Sequence, residues 1–224
     1  MLRHLIWDFD GTLFDTYPAL VTAYQKALEA HGFSAPYEEI HSLMRRSVDT
    51  AFSYYRETLG VGDEILRDYS AIRAEIEPEL AKPYPGMPEL LRDISSSGRH
   101  SYLCTHRGGS VYALLEKFGL RDLFSDFVTA EDGFPRKPDP AGVRCLMEKH
   151  AIAPEEAAMI GDRTLDVRAG QNAGILGVGY CDGTGEDIAC ADVIVRDVAA
   201  LRAFLELEKD NLPRPGCKSD FSIL

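Results

Sequence analysis

Carboxylates dominate the residues that could do chemistry. Asp8 and Asp10 stand two apart in Asp8-Phe9-Asp10-Gly11-Thr12; far downstream, Asp162 follows Gly161 and Asp166 lies four residues on. Two acids at i and i+2 beyond a strand end lean toward the same side. Gathered in one crevice, the four would repel each other, since two unit charges 4 Å apart interact by about 4 kcal/mol at an effective dielectric of about 20. Such a cluster calls for a cation. An oxygen-only donor set selects a hard ion, and carboxylates completed by water and phosphate suit Mg²⁺. A carboxylate left over can attack phosphorus and form an acyl phosphate, splitting hydrolysis into two easier steps. A second carboxyl must then protonate the leaving oxygen and later activate water, and Asp10 is placed for that. Lys137, with Arg136 beside it, and the hydroxyl of Thr105 supply what an anionic phosphate needs in order to approach acids.

The elements that must position these groups alternate along the chain. Leu5–Trp7, Ser101–Cys104, Phe127–Thr129, Ala157–Ile160, Ile175–Val178 and Val193–Val195 read as short strands. Between them, helices are predicted over 87–97, 110–118, 141–150, 165–173 and 198–209. Strands alternating with helices of this length predict an α/β fold with a mainly parallel sheet and helices on both faces, a three-layer α/β/α core. Ligands of such sheets sit beyond the carboxyl ends of the strands. Asp8 and Asp10 follow the first strand, Thr105, His106 and Arg107 the second, and Asp162 the fourth, so one rim collects them all. Residues 16–81 carry only helical periodicity and form a separate insertion. The core is thus expected over 1–15 and 82–210, with 211–224 as a loosely held tail.

Composition sets the wider limits. The 224 residues hold 24 Lys and Arg against 36 Asp and Glu, a formal charge of −12. An acidic chain repels nucleic acid and anionic membranes at long range, so the expected partner is a small phosphorylated metabolite met by a locally basic site. Five cysteines without a CxxC pair argue against a disulfide framework or a metal knuckle. With no signal-peptide-like or membrane-spanning apolar run, the expectation is a cytoplasmic protein, monomeric or dimeric.

Taken together, Asp8-Phe9-Asp10-Gly11-Thr12-Leu13-Phe14-Asp15-Thr16, Thr105, Lys137-Pro138 and Gly161-Asp162 with Asp166 resemble the four motifs of the haloacid dehalogenase superfamily. The likeness is to its branch of phosphoglycolate phosphatases and β-phosphoglucomutases. The resemblance implies Asp8 as nucleophile, Asp10 as general acid and base, and Thr105 and Lys137 as catalytic residues that hold phosphate. It also implies Mg²⁺ held by the Asp8 carboxylate, the Asp10 main-chain carbonyl and Asp162, with Asp166 orienting that site from behind. The 16–81 insertion corresponds to the family's helical cap.

One departure stands out: many relatives follow the second-motif Ser or Thr with Asn, whereas Thr105 is followed by His106-Arg107. Both are candidates for binding substrate, although a lone His after a strand is often satisfied by backbone. In the insertion, Arg46 of the Arg45-Arg46 pair is the candidate for reaching a substrate anion, against the plainer reading of a surface charge. Cys104 reads as a small core residue. Gly177-Val178-Gly179 is rejected as a dinucleotide loop, because Asp182 stands where the third glycine belongs.

The expected activity is therefore Mg²⁺-dependent hydrolysis of a small phosphomonoester. The rivals are a phosphosugar mutase on the same scaffold, a phosphoacceptor signalling module, and a dehalogenase that would not need Asp10, Asp162 and Asp166. In the mutase-like relatives a His lies twelve residues after the nucleophile; here that position is Leu20, which leaves His106 as the nearest substitute base by sequence.

Overall fold

The computed structural model describes residues 1–181 and 188–206. The expected tail 211–224, the last residues of the helix predicted over 198–209 and Asp182 lie outside that range. In chain order the described elements begin with β1 (His4–Trp7), β2 (Phe14–Asp15), α1 (Tyr17–Ala30), α2 (Tyr37–Arg46), α3 (Val48–Leu59), α4 (Glu64–Leu80) and β3 (Lys82–Pro83). There follow α5 (Met87–Ser96), β4 (His100–Cys104), α6 (Ser110–Lys117), β5 (Phe124–Val128) and α7 (Ala141–Lys149). The chain closes with β6 (Ala157–Gly161), α8 (Thr164–Ala173), β7 (Leu176–Tyr180), β8 (Val193–Val195) and α9 (Val198–Glu206). Two compact units result: Phe14–Lys82, and Met1–Leu13 together with the described residues from Pro83 onward.

The second of these is an α/β unit built on a six-stranded sheet in the order β5-β4-β1-β6-β7-β8, with every pair parallel. Leu5, Ile6 and Trp7 are wholly buried because β1 is paired on both sides and covered on both faces. Side chains alternate, so Ile6, Tyr102 and Met159 join Val143, Leu146 and Ala169 of α7 and α8 in one core. The opposite face is covered by α5 and α9, which touch where Gly86 meets Val198. The Trp7 indole N–H, facing that way, donates to Ser101 Oγ at 3.2 Å.

One sequence expectation shifts. Strand β5 begins at Phe124, three residues before the apolar run that marks it. It is an edge strand whose polar residues have partners: Ser125 Oγ lies 3.3 Å from His100 Nδ1, and Asp126 Oδ2 lies 2.7 Å from both His150 Nε2 and Lys149 Nζ. Gly177 and Gly179 sit inside β7 and not in a loop; a Cβ on Gly177 would lie 2.8 Å from the Val167 carbonyl oxygen. Gly177 thus serves close packing of α8 on the sheet, whereas a Cβ on Gly179 would lie 2.2 Å from Ile188 Cδ1, so that glycine makes room for the segment before β8.

The helical unit has its own core. Pro18 starts α1 and the Ser47 side chain caps α3, accepting the Thr50 N–H at 2.9 Å. Tyr24 is the centre, its ring 5.0 to 5.9 Å from those of Phe52, Tyr55 and Tyr69. Leu20 is buried in the same cluster. On α2, Arg45 is buried with its guanidinium 5.1 Å from the Tyr17 ring centroid, whereas Arg46 is exposed.

In the α/β unit, α8 approaches β6 through Gly170, where a Cβ would lie 2.6 Å from the Met159 Cβ. Alanine in a helix gains about 1 kcal/mol over glycine in propensity, but a Cβ–Cβ overlap cannot be relieved by rotating a side chain, and overpacking costs about 1–3 kcal/mol. Gly170→Ala is therefore expected to lower the midpoint of urea unfolding; an unchanged or raised midpoint would contradict this packing.

Candidate active site

The parallel register puts the sequence-predicted acids side by side. Trp7 is level with Leu103 on one neighbour and with Ile160 on the other, so the residues following β1, β4 and β6 emerge together at the carboxyl edge. β1 also marks the point where the strand order reverses, since the chain goes to β4 on one side and later to β6 on the other. Asp8 is held by its own N–H, which donates to the Ile160 carbonyl at 2.9 Å. Beyond it Gly11, at φ +80°, turns the chain back, and the Leu13 N–H closes the turn onto the Phe9 carbonyl at 3.1 Å.

Asp8, Asp162 and Asp166 each bring a carboxylate oxygen within 4.8 Å of the others. They are 1%, 3% and 0% exposed, which makes charge compensation decisive. Lys137, equally buried, places Nζ 2.5 Å from Asp8 Oδ1, 2.5 Å from Asp166 Oδ1 and 3.0 Å from the Cys104 carbonyl oxygen. Burial opposes its charge, but Asp166 and Asp8 outweigh that and raise its pKa, so it is an ammonium. For Asp8 the balance runs the other way: burial first, then Asp166, push its pKa up to about 6 against the pull of Lys137.

Asp166 is held by protein groups. It lies at the first turn of α8, where its Oδ2 accepts the Arg163 N–H at 3.2 Å. Gly161 allows this, since a Cβ there would lie 2.2 Å from the Asp166 Cβ. Asp162 Oδ1 accepts the Thr12 hydroxyl at 3.3 Å. Asp8 Oδ2, in contrast, is buried and accepts no hydrogen bond from the described residues. An orphaned carboxylate oxygen beside a second acid, in an oxygen-only donor set that is short of positive charge, fits a hard divalent cation such as Mg²⁺.

The second-motif residues occupy the same rim, each with a partner. Thr105 Oγ1 accepts the Arg107 N–H at 3.1 Å, which leaves its hydroxyl hydrogen available to an acceptor. His106 Nε2 accepts the Lys137 main-chain N–H at 2.7 Å. An accepting nitrogen carries no proton, so the neutral ring is protonated on Nδ1, and the Nε2 of the nearest candidate base by sequence is already used. Arg107 is buried and paired with Asp10. Cys104 is buried and its thiol pKa is pushed up to about 11, chiefly by burial. Sequence reasoning did not single out Thr12 and Arg163. Their signals were available: Thr12 lies within the first motif, and Arg163 stands three residues before Asp166 in a helix-capping arrangement. Arg46 belongs to the helical unit and is exposed there.

A family described as haloacid dehalogenase-like hydrolase matches residues 5–179. A phosphoglycolate phosphatase of Agrobacterium fabrum is 32% identical over 210 residues, covering 88% of this chain and 89% of that protein. One of Vibrio parahaemolyticus is 29% identical over 208 residues, covering 85% and 90%. The crystal structure of a predicted phosphoglycolate phosphatase from Haemophilus somnus 129pt shares the fold, with a TM-score of 0.80, 22% identity and coverage of 93% of this chain and 98% of that one.

Burial, reinforced by Lys137 and Arg136, pulls the His106 pKa down to about 3. The unfolded imidazole titrates near 6.5, so the folded chain takes up this proton more reluctantly than the unfolded one. The stability that the neutral ring contributes is intact above about pH 6.5 and is lost as the pH falls toward 3. In His106→Gln an amide oxygen can still accept the Lys137 N–H but does not titrate. Thermal unfolding followed from pH 7.5 to 4.5 should therefore show a smaller loss of Tm in His106→Gln than in the wild type; parallel curves would mean that His106 is not held neutral.

Proposed function

Since the chain belongs to the haloacid dehalogenase-like hydrolase family and is an enzyme acting on phosphate esters, we propose that it hydrolyses a small phosphomonoester through an aspartyl-phosphate on Asp8, with Mg²⁺. 2-Phosphoglycolate is the first candidate substrate, because phosphoglycolate phosphatases are among its relatives. The observation that carries this reading is the buried set of Asp8, Asp162 and Asp166 around Lys137, with one Asp8 oxygen left without a donor.

Asp8 is the nucleophile: it follows β1 directly, its N–H is held by the Ile160 carbonyl, and its Oδ2 accepts no hydrogen bond from the described residues. Lys137 offsets the repulsion between this anion and the incoming phosphate, and the Thr105 hydroxyl donates to a phosphate oxygen. Asp10, about a quarter exposed while Asp8 is buried, delivers a proton to the leaving oxygen and then takes one from water. Asp8 and Asp162 with the Asp10 carbonyl would hold Mg²⁺, and Asp166 would keep Lys137 and the Asp162 turn in place. When bound, Mg²⁺ supplies positive charge to the phosphoryl oxygens.

The test is a screen of the purified protein against small phosphomonoesters with Mg²⁺, with EDTA, and as Asp8→Asn. Turnover should require Mg²⁺ and fall by at least about 10⁴-fold in Asp8→Asn, whose amide cannot attack phosphorus. Full activity in chelator, or appreciable activity in Asp8→Asn free of wild-type contamination, would refute the mechanism.

Leu20 favours hydrolase over mutase: it is buried in the helical core and has no proton-accepting atom. With β-glucose 1-phosphate, a trace of the 1,6-bisphosphate and Mg²⁺, free phosphate should form faster than glucose 6-phosphate. The reverse order would reassign the chain to phosphoryl transfer between sugars.

A further inference from the structure

The arginine next to the residue that departs from the family pattern is turned onto the proton-transfer acid. Arg107 donates Nε–H to Asp10 Oδ2 at 3.2 Å and Nη2–H to Asp10 Oδ1, while Nη1–H reaches Ser110 Oγ at 3.3 Å. Its guanidinium carbon lies 5.2 Å from the Phe9 ring centroid. The backbone is fixed as well: the Arg107 N–H donates to Thr105 Oγ1 at 3.1 Å, and its carbonyl accepts the Ala130 N–H at 3.0 Å. Two residues on, Gly109 N–H donates to Glu131 Oε1 at 2.7 Å and pins the same turn.

The two partners differ in exposure. The Arg107 side chain is 2% exposed and that of Asp10 is 25%. The guanidinium is therefore enclosed behind a carboxylate that still reaches water, a poor arrangement for binding a substrate anion directly. It is a good arrangement for orienting Asp10. A planar fork that meets both carboxylate oxygens sets the position and the plane of the group, whereas a single ammonium sets position alone. Proton transfer to a leaving oxygen depends on that plane, and a misplacement of about 1 Å costs about 100-fold in rate.

We infer that Arg107 is a positioning residue, holding the Asp10 carboxylate in the plane from which it exchanges protons with the leaving group and with water. The inference rests on the reading of Asp10 as the proton-transfer group. It replaces the sequence-based expectation that Arg107 binds substrate.

The experiment compares wild type, Arg107→Met, Arg107→Lys, Asp10→Asn and the Arg107→Met/Asp10→Asn double variant. Each is checked for folding by circular dichroism and assayed with Mg²⁺ on an alkyl phosphate and on 4-nitrophenyl phosphate, whose good leaving group keeps slow variants measurable. Arg107→Met should lower kcat on the alkyl phosphate by about 100-fold, with KM moving less than about threefold. Arg107→Lys should recover part of kcat and none of the geometry-dependent remainder. In the Asp10→Asn background, removing Arg107 should change kcat less than about threefold, because the group it positions is already gone. A raised KM at unchanged kcat would make Arg107 a substrate contact, and equal losses in both backgrounds would make it a structural pin; either overturns the inference while the phosphatase reading stands. A wild-type protein that turns over no phosphomonoester overturns the reading of Asp10 and the inference with it. If Arg107→Met does not fold, Arg107→Lys and its Asp10→Asn double carry the same comparison.

Discussion

The ammonium of Lys137 lies 2.5 Å from carboxylate oxygens of Asp8 and Asp166, in a place that water scarcely reaches. Removing one partner from a buried ion pair typically costs about 3–5 kcal/mol, because the remaining charge stays uncompensated. Here Lys137 serves two acids, with a third close by and Arg163 Nε 3.8 Å from Asp166 Oδ2, and much of the surrounding structure keeps the lysine in place. The Cys104 carbonyl takes another of its hydrogens, His106 holds its main-chain N–H, and Gly161 gives Asp166 room to stand against the strand end. The loop 133–140 has no regular element to stiffen it, so these contacts do that work.

The same constraint explains why the sheet is parallel and why its middle strands are apolar. Only carboxyl ends that emerge level with one another can bring Asp8, Thr105 and Asp162 together from positions so far apart in sequence. β1 is buried on every side because it sits at the centre of that arrangement. The rim is polar, the strands feeding it are apolar, and the change comes within one residue, between Trp7 and Asp8. Tyr24 and its aromatic neighbours give the helical unit a core of its own.

Much of the site was legible because strand ends can be counted. A short apolar run followed at once by an acid, a hydroxyl or a Gly-Asp pair locates Asp8, Thr105 and Asp162 without knowledge of pairing. What a side chain does after it leaves the rim was not legible. The partner of Arg107 is 97 positions away and the atom that uses His106 is a backbone N–H 31 positions on, so no local spacing announces either. Strand β5 was read late because Ser125 and Asp126 break its apolar run, and their compensation comes from His100, Lys149 and His150 on other elements. Within the Arg45-Arg46 pair a local signal marks Arg45 as the packed member: Tyr37, His41 and Arg45 recur at intervals of four, and their rings and guanidinium gather with Tyr17.

Asp8 and the lysine that neutralises it are separated by 129 positions. A chain synthesised from its N-terminus exposes the acidic turn long before Lys137 exists, and contacts of such separation form slowly because a long loop must close first. During that interval Asp8 and Asp10 have no reason to leave water, while the helical unit between them and Lys137 already contains every residue of its own core. The nascent first motif is then an ordinary hydrated turn. Its carboxylate meets Lys137 in the same event that dehydrates it, so the charge is not buried before its partner is present.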